Sequence, residues 1–232
     1  MTKTYIEPED IVKMEQAVDN LRDLLLIRVI FWLGCRVTEA IGVKVTDIDF
    51  EAGLVTIKHL KVRVSRSCPS CGVRLAKQAR FCPGCGKEVT TARERALENN
   101  RQRQVPVDRQ TLEILRDFID RDHTKGYLFK IGRTQAYHIV RSAAEKAGLG
   151  KLVNPTTGKI HNVSPHKLRD AFATMAVKDN DSMDSVRALQ EQLGHASIAT
   201  TMKYRKVAGK EQRKWYDKLT RQPGRQLNLL DK

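Results

Sequence analysis

The sequence contains no long apolar run. No stretch of about 18 consecutive apolar residues, the length that suggests a membrane-spanning helix, occurs in the 232 residues. The N-terminal residues MTKTYIEP lack the apolar stretch of a signal peptide. No strongly amphipathic basic helix is apparent that would favour an anionic membrane surface. These absences argue against a membrane partner, and we expect a cytoplasmic protein.

Acidic residues are scarce relative to basic ones. The chain has 42 Lys and Arg against 27 Asp and Glu, a formal net charge of +15 at pH 7. Such an excess attracts polyanions, of which nucleic acids are the commonest. The apolar fraction of 41% is enough to bury one good core. The composition therefore predicts one nucleic-acid-binding domain with a small appendage.

The spacing of apolar residues predicts a mainly α fold with a small antiparallel β-sheet, an α+β class. The second and third strands are separated by some 40 residues, which is too long for an ordinary hairpin loop, so this segment must be structured or functional. The predicted helices are 7–34, 37–42, 111–120, 134–147, 165–177, 183–193, 210–219 and a segment after Ile198, and the predicted strands are 45–50, 54–57 and 104–107.

Four of the five cysteines lie inside that long segment, in two near-identical knuckles, CPSCG at 68–72 and CPGCG at 82–86. Two thiolates at this spacing can bind one metal ion from a tight turn, and the glycine after each pair lets the backbone fold back toward sulfur. Four thiolates suit tetrahedral zinc in a closed site without a position for water. Iron also fits this geometry, but zinc is favoured. We predict one structural zinc ion on Cys68, Cys71, Cys82 and Cys85.

Basic residues are concentrated around these knuckles. Residues 62–104 hold ten Lys and Arg and three Asp and Glu, a balance of +7 in under a fifth of the chain. We call residues 62–103 the cysteine module. One hypothesis is that the module grips the DNA backbone through salt-sensitive contacts; the alternative is a solvated insert that only stabilises the fold.

Three short motifs follow one another along the rest of the chain. GCRVTEA at 34–40 contains Arg36 and Glu39, and SPHKLR at 164–169 contains His166 and Arg169. LGHASIATTMKY at 193–204 contains His195 and, nine residues further on, a tyrosine. In this order the motifs resemble the tyrosine recombinase or phage-type integrase family, over about residues 5–220 apart from the cysteine module.

The resemblance implies the recombinase catalytic-domain fold and a metal-free reaction. It implies that Tyr204 attacks a DNA phosphodiester and becomes joined to the 3′ phosphate. It also implies that Arg36, Arg169 and His195 donate to the non-bridging oxygens, with His166 as the acid/base partner. No catalytic metal and no ATP are then required. Glu39 is expected to be a structural partner rather than a base.

The family also uses a lysine near a strand turn to protonate the leaving 5′ oxygen. Lys61 fits this position best, directly before the cysteine module begins. Lys58 is the second choice because it falls within the predicted strand, and a basic residue late in the module stays open.

The expected organisation is a recombinase catalytic domain at 1–61 and 104–222, the zinc-ribbon module at 62–103 between the second and third strands, and a C-terminal tail at 223–232. The expected partners are double-stranded DNA and further copies of the chain in a synaptic tetramer, in the nucleoid of a prokaryotic cell and encoded by a mobile genetic element. Too few residues precede Arg36 for the separate N-terminal domain with which most family members clamp DNA. Either that domain is naturally absent, in which case the hypothesis is that the module replaces part of the clamp, or the chain is the catalytic part of a longer protein. The alternatives are a non-catalytic DNA-binding regulator or accessory protein with the same fold, and a type IB topoisomerase.

Overall fold

The structure is a computed structural model that describes residues 3–58, 63–76, 78–97, 102–154 and 157–207. Within these ranges it is mostly helical with small antiparallel sheets, which confirms the predicted fold class. No helix in the described ranges combines the length and apolar composition that crossing a bilayer requires. The helices are α1 (Pro8–Gln16), α2 (Leu21–Trp32), α3 (Val37–Ile41), α4 (Arg109–Arg121), α5 (Arg133–Lys146), α6 (Pro165–Asp179), α7 (Met183–Leu193) and α8 (Ile198–Thr201).

The strands form three antiparallel groups. The strands are β1 (Ile48–Asp49), β2 (Leu54–Lys58), β3 (Arg63–Ser67), β4 (Arg93–Leu97), β5 (Gln102–Pro106), β6 (Lys151–Val153) and β7 (Ile160–Asn162). One sheet has the order β1-β2-β5, and Val55 pairs with Ile48 on one side and with Val105 on the other. The pair β3-β4 lies between β2 and β5 along the chain, so the cysteine module is inserted between the second and third strands of the main sheet.

Two predicted elements differ from the structure at the N-terminal end. Residues 7–34 form two helices rather than one, because the Asn20 side chain accepts a hydrogen bond from the Asp23 N–H at 2.9 Å and starts α2 afresh. Val45 lies in a short 3-10 helix, Val45–Asp47, and not in a strand. The Asp47 carboxylate accepts from the N–H of Lys44 at 3.0 Å and fixes this turn.

The other differences concern short strands. The strand predicted at 104–107 is β5, two residues earlier, so Gln102 and Arg103 pair with Lys58 and Ile57. The hairpin β6-β7 was not predicted, because its strands have three residues each and β7 is fully exposed. The helix expected at 210–219 and the tail from residue 223 lie outside the described residues.

Helix α2 forms the centre of the core. Its residues 25–31 are all buried, and it packs against α1, α4 and α6. The helix ends at Trp32, and Gly34, two residues further on, has a φ of 62°. A Cβ atom there would lie 2.9 Å from the side chains of Leu193 and Phe172, so only glycine lets this end of α2 meet α6 and the end of α7. This close approach creates the floor of the site described next.

Candidate active site

A cavity of about 550 Å³ opens between α6, the β6-β7 hairpin, the N-terminal segment and the end of the described chain. Five of the six residues predicted to be catalytic line this one cavity, although they come from three separate motifs in the sequence. They are Arg36, His166, Arg169, His195 and Tyr204. The sixth, Lys61, lies outside the described residues.

Arg36 lies directly before the first turn of α3. Its Nη1 donates to Oε1 of Glu39 at 2.8 Å, and its backbone N–H donates to Oε2 at 3.1 Å. The Glu39 side chain therefore holds both the backbone and the guanidinium of Arg36 in place. With 38% of its side chain exposed, Arg36 still reaches the cavity.

Glu39 is buried among three arginines. Besides Arg36, Arg103 donates from Nη2 to Oε2 at 2.8 Å, and Nη1 of Arg169 lies 3.8 Å from the same oxygen. Burial alone would raise the pKa of Glu39, but the hydrogen bonds and charges of Arg103 and Arg36 lower it to about 2. The carboxylate is therefore ionised at neutral pH, and three cations around one anion leave a net positive charge beside the cavity.

Arg169 is 2% exposed, and the backbone fixes its guanidinium. Nη1 donates to the carbonyl oxygen of Gly34 at 2.6 Å, and Nη2 donates to that of Leu193 at 2.8 Å. Burial and the nearby charge of Arg36 lower the pKa of Arg169 to about 10, so it stays cationic at neutral pH. A guanidinium has five N–H donors, and these two bonds leave others for a ligand.

His195 follows Gly194, the left-handed residue that ends α7. Its Nδ1 lies 2.9 Å from the hydroxyl of Thr201. Burial, followed by the charges of Arg169 and Arg36, lowers the pKa of His195 to about 4. The imidazole is therefore neutral at physiological pH, and it stacks nearly parallel to the Tyr204 ring with 6.3 Å between the centroids.

Tyr204 lies in the 3-10 helix Met202–Val207 after α8. Its hydroxyl donates to Oδ1 of Asp170 at 2.9 Å. Nε2 of His166 lies 3.7 Å from that same oxygen, and Nζ of Lys167 lies 3.8 Å from Oδ2. Burial and the Asp170 carboxylate raise the pKa of Tyr204 well above its usual range, so the free protein holds a neutral phenol.

Lys58, the second lysine considered, is the last residue of β2. Its Nζ donates to Oδ1 of Asp47, the residue that also fixes the 3-10 turn before β1. Lys58 is not among the residues that line the cavity. The structure therefore describes a structural contact for Lys58 and leaves Lys61 as a prediction.

The four predicted metal ligands form a second cluster. Their sulfur atoms all lie within 4.8 Å of one another, with 3.8 Å between Cys68 and Cys85 and 3.4 Å between Cys71 and Cys82. Four sulfurs at the zinc–sulfur distance of about 2.3 Å in a tetrahedron are about 3.8 Å apart. The donor set and spacing thus fit one metal ion.

The two knuckles have the same backbone structure. In each, the carbonyl oxygen of the first cysteine accepts from the N–H of the glycine four residues later at 2.9 Å. The N–H of the same cysteine donates to the carbonyl oxygen of the residue directly after that glycine, also at 2.9 Å. Among the described side chains of the module, the buried core around them consists of Cys68, Leu75 and Cys82, with Ala79, Val89 and Ala92 partly buried. So small a core cannot by itself supply much stability, which favours a metal as the main cross-link.

Three residues of the site were not predicted from the sequence. Arg103 lies in β5 and joins Glu39 to the carbonyl oxygen of Gln192. Asp170 follows Arg169 directly, and Thr201 lies three residues before Tyr204. Asp170 and Thr201 lie close to motif residues in the sequence, and this closeness was a usable signal for a place in the site. The contact that Arg103 makes is revealed only by the fold.

Residues 4–78 and 86–211 match the model of the Phage integrase family, and the chain belongs to that family. Tyrosine recombinase XerA of Pyrococcus horikoshii is 26% identical over 220 residues, which cover 90% of this chain and 59% of the relative. Tyrosine recombinase XerD of Neisseria meningitidis is 28% identical over 212 residues, covering 88% of this chain and 59% of the relative. The chain thus spans about 59% of the length of these curated relatives.

Solved structures with the same fold include three recombinases or integrases. The crystal structure of XerA recombinase has a TM-score of 0.63 at 20% identity, covering 96% of this chain and 67% of that one. XerH site-specific recombinase, bound to a palindromic difH substrate in a post-cleavage complex, has a TM-score of 0.61 at 19% identity, covering 94% and 53%. The catalytic domain of bacteriophage HP1 integrase has a TM-score of 0.54 at 18% identity, covering 93% and 94%.

Proposed function

We propose that this chain is the catalytic part of a site-specific DNA recombinase that cuts and rejoins DNA through a 3′-phosphotyrosine on Tyr204. The observation that carries the proposal is that the tyrosine shares one cavity with Arg36, Arg169, His166 and His195. A nucleophile surrounded by fixed cationic and neutral donors is what attack on a phosphodiester requires.

In this reaction the bond from the Tyr204 oxygen to phosphorus forms while the bond from phosphorus to the 5′ oxygen breaks. The transition state gathers negative charge on the non-bridging oxygens. Arg36 and the unused N–H groups of Arg169 donate to them. If Nδ1 of His195 accepts from Thr201, its Nε2 carries the proton and adds a third donor.

Two proton transfers complete the chemistry. His166 serves as the acid/base partner, which its exposure to solvent and its place 3.7 Å from Asp170 support. Lys61 donates a proton to the leaving 5′ oxygen, with Lys58 as the alternative. The phosphotyrosine keeps the energy of the broken bond, so neither ATP nor a catalytic metal enters the mechanism.

The proposed substrate is double-stranded DNA, and the proposed active assembly is a tetramer of this chain around two DNA sites. The net charge of +15 and the cluster of Arg36, Arg103 and Arg169 favour a polyanionic partner. The XerH structures and structures of the Tn1549 transposon integrase contain those proteins bound to DNA.

The proposed domain organisation has the catalytic domain at 1–61 and 104–222, the cysteine module at 62–103 and a tail at 223–232. One zinc ion on Cys68, Cys71, Cys82 and Cys85 would hold the module together without a role in the reaction. The module's exposed Arg74, Arg80 and Lys87 support a grip on the DNA backbone. A nuclease footprint should then shrink when the cysteines are replaced by serine, and an unaltered footprint would leave the module a purely stabilising role.

Trapping on a nicked suicide substrate tests the function. DNA from the neighbourhood of the gene is incubated with the wild type and with Tyr204→Phe, and a denaturing gel resolves protein joined to DNA. A joined species from the wild type alone is expected. Tight binding without any joined species at several candidate sites would favour a non-catalytic DNA-binding protein. Relaxation of supercoiled DNA without strand exchange would favour a topoisomerase.

A further inference from the structure

The Tyr204 hydroxyl is already paired with a proton acceptor before any DNA is bound. Its Oη lies 2.9 Å from Oδ1 of Asp170, within the range of about 2.6–3.2 Å in which a general base takes a proton. Asp170 lies in α6, one residue after Arg169, whose guanidinium is fixed by two backbone carbonyls. The acceptor is thus carried by the same rigid helical turn as a phosphate-binding arginine.

We propose that Asp170 is the group that takes the proton from Tyr204 when the tyrosine attacks a DNA phosphate. This inference rests on the proposed function. As the bond from Oη to phosphorus forms and the bond from phosphorus to the 5′ oxygen breaks, the phenolic proton passes to Oδ1. On rejoining, the 5′ hydroxyl attacks phosphorus and returns its proton to the lysine that supplied it in cleavage, and the departing tyrosine oxygen takes the proton back from Asp170.

The charges around the pair explain why the proton has to move to Asp170. A phenolate beside an ionised carboxylate is repelled, whereas a phenolate beside a neutral carboxylic acid is not. Proton transfer to Asp170 removes that repulsion and leaves the new negative charge facing the arginines. Among the described residues, charged or titratable groups face the pair from every element around the cavity. They are His166, Lys167 and Arg169 on α6, Arg36 before α3, His195 after α7, Lys203 beside Tyr204, His161 of β7 and Tyr5 of the N-terminal segment.

His166 has a distinct place in this arrangement. Its Nε2 lies 3.7 Å from the same Oδ1, and 68% of its side chain is exposed. It is therefore positioned to exchange a proton between Asp170 and solvent after the first transfer. Asp170 is the direct acceptor of the Tyr204 proton, and His166 acts as the acid/base partner of Asp170, which it connects to water.

The test measures the single-turnover rate of covalent complex formation on the suicide substrate. Asp170→Asn keeps the size of the side chain but accepts no proton, and the rate is expected to fall about 10²- to 10⁴-fold. Asp170→Ala should be equally slow. Added formate, a carboxylate small enough for the vacated space, should raise the rate of this alanine variant at least about tenfold. Asp181→Asn is the matched control, because Asp181 is an exposed carboxylate that pairs with Arg205 beside Tyr204.

A second measurement tests whether the Tyr204 hydroxyl and the side chain at position 170 are in contact in the folded protein. Tyrosine labelled with ¹³C at Cζ reports the titration of Tyr204, and Asp170→Asn should lower its pKa because the negative charge beside the hydroxyl is removed. An unchanged titration would mean that the hydrogen bond is missing and would overturn the proposal.

The outcomes separate this proposal from the proposed function. An Asp170→Asn protein that joins DNA as fast as the wild type, or faster, overturns the base role and makes the contact a latch that restrains the nucleophile. Loss of rate without rescue of the alanine variant by formate also overturns it. A wild type that never joins DNA overturns the proposed function, and this proposal with it.

Discussion

Arg103 and Glu39 form a partly buried ion pair, 2.8 Å from Nη2 to Oε2, that ties the strand leaving the cysteine module to the turn that carries Arg36. The same arginine donates from Nε to the carbonyl oxygen of Gln192, one residue before Leu193, at 2.6 Å. The start of α3, the end of α7 and β5 are thereby held together by one side chain.

Replacement of Arg103 should therefore impair catalysis, although Arg103 is not among the residues that line the cavity. Arg103→Ala leaves Glu39 with one fewer partner, so Arg36 loses part of its support. We expect covalent complex formation to slow by about 10- to 100-fold, the effect of a small misplacement of a catalytic group. Gln104→Ala, an exposed change in the same strand, is the control. Equal rates for the two variants would show that Arg103 has no positioning role.

Metal analysis tests the cysteine module. The purified chain should contain one zinc ion per chain, without the visible absorbance of an iron centre. Cys71→Ser and Cys85→Ser should each lose most of it, because three thiolates close the tetrahedron poorly. Cys35→Ala should keep the full metal content, since Cys35 is buried in the main core far along the chain from the knuckles. Wild-type protein free of metal after mild purification, yet with a folded module, would contradict the prediction.

A substrate with sulfur in place of the leaving 5′ oxygen distinguishes the two lysines. A thiolate departs without a proton, so it relieves the need for a general acid. Lys61→Ala should slow cleavage of the ordinary substrate by about 10²- to 10⁴-fold and leave the sulfur substrate nearly unaffected. Lys58→Ala should slow both substrates alike, if at all, because it loosens the contact with Asp47. The reverse pattern would assign the proton donor to Lys58.

His195 should make the folded state sensitive to acid. Its pKa is about 4 in the fold against an ordinary value of 6.5, so between these values the unfolded chain binds more protons than the folded one. Stability from this residue is fully present above pH 6.5 and is lost as the pH falls toward 4. The free energy of unfolding of His195→Gln, measured with a denaturant, should fall less between pH 7 and pH 4.5 than that of the wild type. His138→Gln, an exposed change on α5, should lose as much as the wild type; identical losses in all three would refute the assignment.

The sequence predicted those parts of the fold that depend on local pattern. The bounds of α7 were predicted without error because Ser182 caps its start and Gly194 ends it. The break between α1 and α2 was missed because the apolar pattern runs on through it, and only the Asn20 cap marks the new helix. Hairpin β6-β7 was missed because neither strand has the alternation of a half-buried strand.

The sequence allowed prediction of those residues of the candidate site that belong to the three motifs. The motif residues meet in one cavity, but their supporting contacts are tertiary. Arg103 is 64 residues from Glu39, and Asp170 is 34 residues from Tyr204. No local spacing relates such pairs. The position of Asp170 beside Arg169 was a signal in the sequence, but its contact with Tyr204, like that of Arg103 with Glu39, became visible only in the fold.

The identity of the residue joined to DNA tests most directly whether Tyr204 is the nucleophile. The covalent complex formed on the suicide substrate is trimmed with nuclease, digested with trypsin and sequenced by tandem mass spectrometry. Tyr5 lines the same cavity and is the natural competitor. We predict a nucleotide 3′-phosphate on Tyr204 in the wild type and in Tyr5→Phe, and no adduct in Tyr204→Phe. An adduct on Tyr5 or on any other residue would contradict this prediction.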